Sequence, residues 1–379
     1  MARDEIRDLT DEEARRALPV KWGETPAGVL PAWVAEMDYA LAPAVQRALE
    51  EAVASGTTGY PPTGDLGVGA ALSGFAARHW GLDLEPDATV VTGDVVTAIR
   101  VALDVLCPPG PVVVPLPCYP PFRVVLEVCG RALAPVTTHP DADEAVLDLA
   151  GVEEAFRAGA RTFLLCSPHN PLGRVWSRAE LEALRDLTRQ YGVRVVADEI
   201  HGPLVLPGAT FTPYLSVDPT AVLVTSASKA FNTPGLHCAQ LVTLDAGERA
   251  RLRALPMPVN HAVTTFGLLA TTAAFTDGDD WLAALVRRLA AQREVLAGAL
   301  AEHLPKARAR PLEATYLAWL DLREYGVDAP AAAGLRHGVR VAPGSDYQPG
   351  LPGHVRLNIA TSPERTRLAV QRLAAALEA

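Results

Sequence analysis

Five short apolar runs in this chain are each followed at once by a residue that can do chemistry. TVVT at 89–92 leads into GDVVTAIR, a turn that opens a helix with Gly93, Asp94 and Val95 at its start. VVV at 112–114 leads to CYPPF and Tyr119. TFLLC at 162–166 leads to SPHNPLGRVW and Asn170. RVVAD at 194–198 ends in Asp198, with Glu199 and His201 behind it. AVLVT at 221–225 leads to SASKAFN, with Ser226, Ser228 and Lys229. The strand ends thus deliver a phosphate-sized helix N-terminus, an aromatic ring, an amide, a carboxylate and an amine.

An amine forms a Schiff base with an aldehyde. A carboxylate keeps a pyridinium nitrogen protonated, which makes the ring an electron sink. An asparagine amide donates to a phenolate oxygen, and a tyrosine face stacks on a flat heterocycle. Hydroxyls and free helix N–H groups hold a phosphate. Pyridoxal 5′-phosphate (PLP) is the cofactor that needs all five. Lysine is rare here: Lys21, Lys229 and Lys306 stand against a background of arginine. An amine can lose its proton and attack a carbonyl, and a guanidinium effectively cannot. Lys229 therefore reads as kept for chemistry, and Lys21 and Lys306 as compositional drift.

The runs that position these residues are β-branched and nearly continuous. They alternate with helical patterns such as 177–192, where Ser177 and Glu180 form a capping box and Gly192 is a natural stop. That alternation predicts an α/β fold with a mostly parallel central sheet covered by helices on both faces. In such sheets ligands sit outside the carboxyl ends of the strands. Further strand patterns reach 239–244. The last hundred residues differ, with helical patterns at 281–303 and 363–378 around weaker strand signals near 338–342 and 355–360. This predicts a large domain over 42–277 and a smaller α+β domain from 1–41 and 278–379.

The strings WVAEMDY (33–39), GY (59–60), CYPPF (118–122), SPHNPLGRVW (167–176), DEIHGPL (198–204), SASKAFNTPGL (226–236) and RLNIA (356–360) occur in one order along the chain. In that order they resemble the class I/II aminotransferase superfamily of fold type I PLP enzymes. DEIH and SKAFN make the chain similar to its cystathionine β-lyase-like MalY/PatB branch. The resemblance implies that Lys229 is the Schiff-base lysine and the proton-transfer base. Asp198 would pair with the ring nitrogen, Asn170 would donate to the ring 3-oxygen, and Tyr119 would stack on the ring. Ser226 would bind phosphate, together with the Gly93–Asp94–Val95 turn, and His201 would stand near the ring. Arg356 would bind the substrate α-carboxylate, with Ala35 and Asn170 beside it. Tyr60 would reach the phosphate of a neighbouring subunit's cofactor, which implies a homodimer with shared active sites. The chain departs from the family at His237, where an arginine is common, and at Asp94, where small residues are usual. A carboxylate beside a phosphate is repulsive unless it turns away, for example as a helix N-cap.

Single residues here have blander readings. Asn170 before Pro171 alone reads as a turn former, Tyr119 as a core ring and Arg356 as a core ion pair; the ordered set decides for function. The leading expectation is a C–S β-lyase acting on cystathionine or another S-substituted cysteine. An aminotransferase, or a specialised biosynthetic enzyme on the same scaffold, is the alternative. The formal charge of −10 excludes a basic nucleic-acid surface and favours no anionic membrane. The charged N-terminus and the lack of a long apolar run predict neither signal peptide nor membrane span. The five cysteines are scattered without CxxC spacing, which predicts free buried thiols rather than disulfides or zinc. Together these favour the cytoplasm. His79, His139, His169, His261, His303, His337 and His354 show no ligand spacing, so no catalytic metal is expected.

Overall fold

The computed structural model describes residues 6–138, 146–256, 259 and 262–378. His139 and His261, and the first five residues of the expected small domain, lie outside them. Twelve strands form two sheets: β1 (Leu30–Ala32), β2 (Thr89–Thr92), β3 (Val112–Leu116), β4 (Leu133–Thr137), β5 (Thr162–Cys166), β6 (Arg194–Asp198), β7 (Val222–Thr225), β8 (Ala239–Val242), β9 (Arg308–Ala309), β10 (Leu317–Asp321), β11 (Val339–Pro343) and β12 (His354–Asn358). The larger sheet has seven strands in the order β2-β8-β7-β6-β5-β3-β4. All neighbours in it are parallel except around β8, which runs antiparallel to both β2 and β7.

The apolar runs explain why this sheet is covered on both faces. Along β5, Phe163 and Leu165 join one core cluster while Leu164 and Cys166 join another. β6 repeats the split with Val195 and Ala197 against Val196, and β7 with Leu223 against Val222 and Val224. Side chains alternate across a strand, so a strand apolar at every position has two dry faces to fill. Each large side chain so buried stabilises the fold by about 1.5–3 kcal/mol.

Helix ends follow their caps. Ser177 and Glu180 complete the expected capping box of the Arg178–Tyr191 helix, and Gly192 ends it in the left-handed region at φ 63°. The Val95–Val105 helix starts from Asp94, whose side chain accepts from Thr97 N. These caps set where each helix begins, and the Asp94 cap sets the floor of the site below.

The second sheet has the order β1-β11-β12-β10-β9. β1 joins it in parallel with β11, so the N-terminal segment is built into the same layer as the C-terminal strands. The Pro363–Glu378 helix packs on β1 and β11, and the Asp279–His303 helix packs on it in turn. β1, β4, β9 and β10 were not expected from the sequence. β4 contains Pro135 and is an edge strand, where a missing N–H does no harm. β8 is shorter than the 239–244 run. No helix among the described residues is long and apolar enough to cross a membrane, and all five cysteines are free.

Candidate active site

At the carboxyl ends of β3, β5, β6 and β7 lies a cavity of about 210 Å³. Lys229, Asp198, Tyr119, Asn170, His201, Ala35, Ser228, Asp94, Val95 and Val96 stand in its wall, and Cys166, Ile200 and Pro234 complete it. The topology explains the gathering. Parallel strands send all their C-termini to one edge, so loops far apart in sequence meet there.

Lys229 Nζ donates to the Ala35 carbonyl at 3.0 Å. Burial, and then the charge of Arg356, lower its amine to about 8; Glu36 and Asp198 pull it back up. A larger share of the amine is therefore neutral near physiological pH than in an ordinary lysine. Asp198 is 4 % exposed. Burial raises its carboxyl to about 7, against the Ile200 N–H donating to Oδ1 at 3.1 Å and the charge of Lys229. A carboxyl raised this far by desolvation calls for a cationic partner.

Arg356 is buried, and its two terminal nitrogens are held apart by neutral acceptors. Nη1 donates to Asn170 Oδ1 at 3.0 Å and Nη2 to the Trp33 carbonyl at 2.7 Å. Its guanidinium also lies over the Tyr347 ring, 5.0 Å from the centroid. The fork thus stands ready for a carboxylate that replaces weaker acceptors. Tyr119 packs edge-on against Phe122 at 5.6 Å, which fixes its ring at the wall. His201 is buried and its Nδ1 has no hydrogen-bond partner. Burial and the nearby charge of Lys229 lower it to about 3, so the ring is neutral.

The phosphate turn differs from the expectation in one residue. Asp94 lines the cavity, but both its carboxylate oxygens are engaged as the helix cap: Oδ1 accepts from Thr97 N at 2.8 Å and Oδ2 from Thr97 Oγ1 at 3.0 Å. Val95 and Val96, the first two residues of the helix, line the cavity, and the N–H groups of a helix's first turn have no partner within the helix. Gly93 packs so tightly on Ala262 that a Cβ would come within 2.5 Å of it. Ser226 does not line the cavity. Its hydroxyl donates to the Cys238 carbonyl at 2.7 Å and accepts from Ser228 N at 3.1 Å, and Ser228 stands in the wall instead. His237 is exposed, at φ 53°, and Tyr60 is 91 % exposed; neither reaches this cavity.

Lys21 needs a correction. It is no product of drift but a buried amine, paired with Asp38 at 2.8 Å and donating to the Glu36 carbonyl at 3.0 Å. Asp38 also accepts from Trp22 Nε1 at 2.8 Å. The sequence held a signal for this, because WVAEMDY places two acids near Lys21 in the chain. Lys306 is exposed and lies over the Tyr325 ring. Tyr316 was also missed: its hydroxyl donates to the Ala35 carbonyl at 3.0 Å, and no strand had been expected beside it.

Residues 34–373 match the model of the family "Aminotransferase class I and II". The chain belongs to that family. Within this aminotransferase family it is similar to "Cystathionine beta-lyase PatB" of Bacillus subtilis, at 34% identity over 97% of this chain and 98% of that one. It is likewise similar to "Cystathionine beta-lyase" of Corynebacterium glutamicum, at 33% identity over 97% and 98%. The solved structure of the PLP-bound C-S lyase from Staphylococcus hominis superposes with a TM-score of 0.87, at 25% identity over 100% of this chain and 98% of that one. The chain is a fold type I, PLP-dependent enzyme of the carbon–sulfur lyase branch. The residues fit PLP: an enclosed amine, a desolvated carboxylate, an unpartnered buried imidazole nitrogen, an aromatic wall and open helix N–H groups face one cavity.

Proposed function

We propose that this enzyme cleaves cystathionine or another S-substituted cysteine at the Cβ–S bond, giving a thiol, pyruvate and ammonia. The observation that carries the reading is the enclosed Lys229 amine between the Ala35 carbonyl and the Asp198 charge, beside the Arg356 fork. The full-length likeness to proteins named cystathionine beta-lyase supports a sulfur leaving group.

PLP supplies an aldehyde that takes up the substrate amine and a protonated ring that stores the charge left at Cα. Asp198 would hold the proton on the ring nitrogen. Asn170 and His201 would serve the ring's oxygen, and Tyr119 would stack on the ring. Val95 and Val96 N–H groups, with Ser228, would hold the phosphate. Arg356 grips the substrate carboxylate and so fixes rotation about Cα, turning the C–H bond toward Lys229. Lys229 takes that proton. The thiolate then departs from Cβ, and the released fragment hydrolyses to pyruvate and ammonia.

With S-substituted cysteines and no added 2-oxoacid, thiol, pyruvate and ammonia should appear in equal amounts, read by thiol titration and coupled pyruvate reduction. Turnover that depends strictly on a 2-oxoacid acceptor would show an aminotransferase instead.

The assembly we propose is a two-fold homodimer in which Tyr60 of the partner subunit completes each phosphate site. Leu41, Val53, Tyr60 and Leu66 are large apolar residues left exposed within one short stretch, and contiguous exposed apolar surface marks an interaction site. Losing a hydrogen bond to a charged phosphate costs about 1.5–3 kcal/mol, so Tyr60→Phe should lose roughly tenfold or more in phosphate-dependent turnover. Mixing Tyr60→Phe subunits with Lys229→Ala subunits should then restore activity, because each mixed dimer carries one site with both residues intact. A fully active monomer in sedimentation would remove the shared-site reading.

A further inference from the structure

The segment from Trp33 to Asp38 passes the site as partly to fully buried irregular backbone, and side chains from distant parts of the chain donate to its carbonyls. Asn358 Nδ2 bonds the Val34 and Glu36 carbonyls at 2.6 and 2.7 Å. The Ala35 carbonyl takes two donors, Lys229 Nζ and Tyr316 OH, each at 3.0 Å. Asn232 makes a two-way contact with the same segment: Met37 N donates to its Oδ1 at 2.8 Å, and its Nδ2 donates to Met37 O at 2.8 Å.

Asn232 lies three residues after Lys229, in the left-handed region at φ 56°. Asparagine tolerates that conformation better than most side chains. Its amide also carries a donor and an acceptor on one flat group, the same pair a peptide offers. No other uncharged side chain of that reach could both take the turn and bond Met37 in both directions. The loop bearing Lys229 is therefore clamped to the segment bearing Ala35.

We propose that Asn232 is a positioning residue for proton transfer: it clamps Met37, and so sets the Ala35 carbonyl as the tether of the free Lys229 amine. The proposal rests on Lys229 being the base. In the step it serves, the Cα–H bond breaks, an N–H bond forms at Nζ, and the bonding pair stays with the substrate carbon. A tethered amine meets that proton from one fixed place, which is what orientation contributes to a transfer step. The groups facing the amine are Glu36 from the same segment, Asp198 and His201 at the end of β6, Arg356 from β12 and Tyr316 before β10. The Ala35 carbonyl is the group that accepts a hydrogen bond from Nζ, at 3.0 Å.

The chain's three lysines make the test direct. Nitrogen-15 lysine labelling gives one side-chain signal each for Lys21, Lys229 and Lys306, and Lys229→Arg assigns the middle one. In cofactor-free protein the Lys229 titration midpoint should fall in Asn232→Ala, because the ammonium loses its carbonyl. It should rise in Tyr316→Phe, because the carbonyl then serves Lys229 alone. In the loaded enzyme, exchange of the L-alanine Cα proton into heavy water should slow about tenfold in kcat in Asn232→Ala, as loss of about one hydrogen bond predicts, with KM and cofactor retention nearly unchanged. Should Asn232→Ala fail to fold, Tyr316→Phe probes the same carbonyl from its other side. Midpoints that stay put in the folded variants, or kcat, KM and cofactor retention falling together, overturn the proposal. Exchange surviving in Lys229→Ala would instead overturn the assignment of the base, so the two failures are distinct.

Discussion

Lys229→Ala should lose essentially all turnover, while the protein still binds PLP through the ring and phosphate contacts. The amine has two tasks, covalent capture of the aldehyde and proton transfer at Cα. A positioned general base alone contributes about 10²–10⁴-fold, so the combined loss exceeds that. Lys229→Arg should fare no better, because a guanidinium stays charged. Borohydride reduction of the wild-type holoenzyme, followed by peptide mapping, should place the cofactor label on Lys229. A label on Lys21 would be hard to reconcile with its buried pair to Asp38, and a label on exposed Lys306 would sink the assignment.

Asp198→Asn should leave the fold intact and remove most of the activity. The site is dry, and a charge-assisted contact there costs about 1.5–3 kcal/mol in binding when lost, with more where charge develops in the transition state. The same substitution should change stability in the opposite direction when no cofactor is bound. Burial raises the Asp198 carboxyl from 3.8 to about 7 in the folded protein. The folded state therefore holds a proton that the unfolded chain has released. Wild-type stability is fully present below about pH 4 and declines as pH rises through 7. Asparagine cannot ionise, so the cofactor-free variant should be the more stable protein above pH 7, by up to about 4 kcal/mol. Denaturant melts at pH 4 and pH 8 would show it: equal midpoints at both would mean that Asp198 is not desolvated as described. Bound PLP should erase the difference, because a pyridinium gives the carboxylate its partner.

Most of the central sheet was legible because runs of apolar and β-branched residues fill its inner strands, with side chains buried on both faces of β5, β6 and β7. The strand-end residues were legible for the same reason: polar groups that follow such a run at once have nowhere to go but the ligand edge. β4 and β10 were not legible. Pro135 breaks the pattern of the first, and Trp319 and Asp321 give the second no clean alternation. Ser226 and Asp94 show a different limit. Their types fit a phosphate, yet their oxygens are spent on Cys238, Ser228 and Thr97, and no spacing rule foretells which local partner takes a hydroxyl or a carboxylate. Lys21 was misread because composition was weighed without asking whether an amine so near two acids could reach them.

The clamp between the Trp33–Asp38 segment and the strands near the other end of the chain fixes when the site can exist. Val34 and Asn358, bonded to each other, lie 324 residues apart. A ribosome adding about 5–20 residues per second needs roughly 15–65 s between them. For the last part of that interval, roughly 6–26 s at the same rate, the nascent chain carries the Lys229 loop without Arg356 or Asn358 to complete its surroundings. A chain stopped before that strand therefore lacks the Arg356 fork and the Asn358 ties to the Trp33–Asp38 segment.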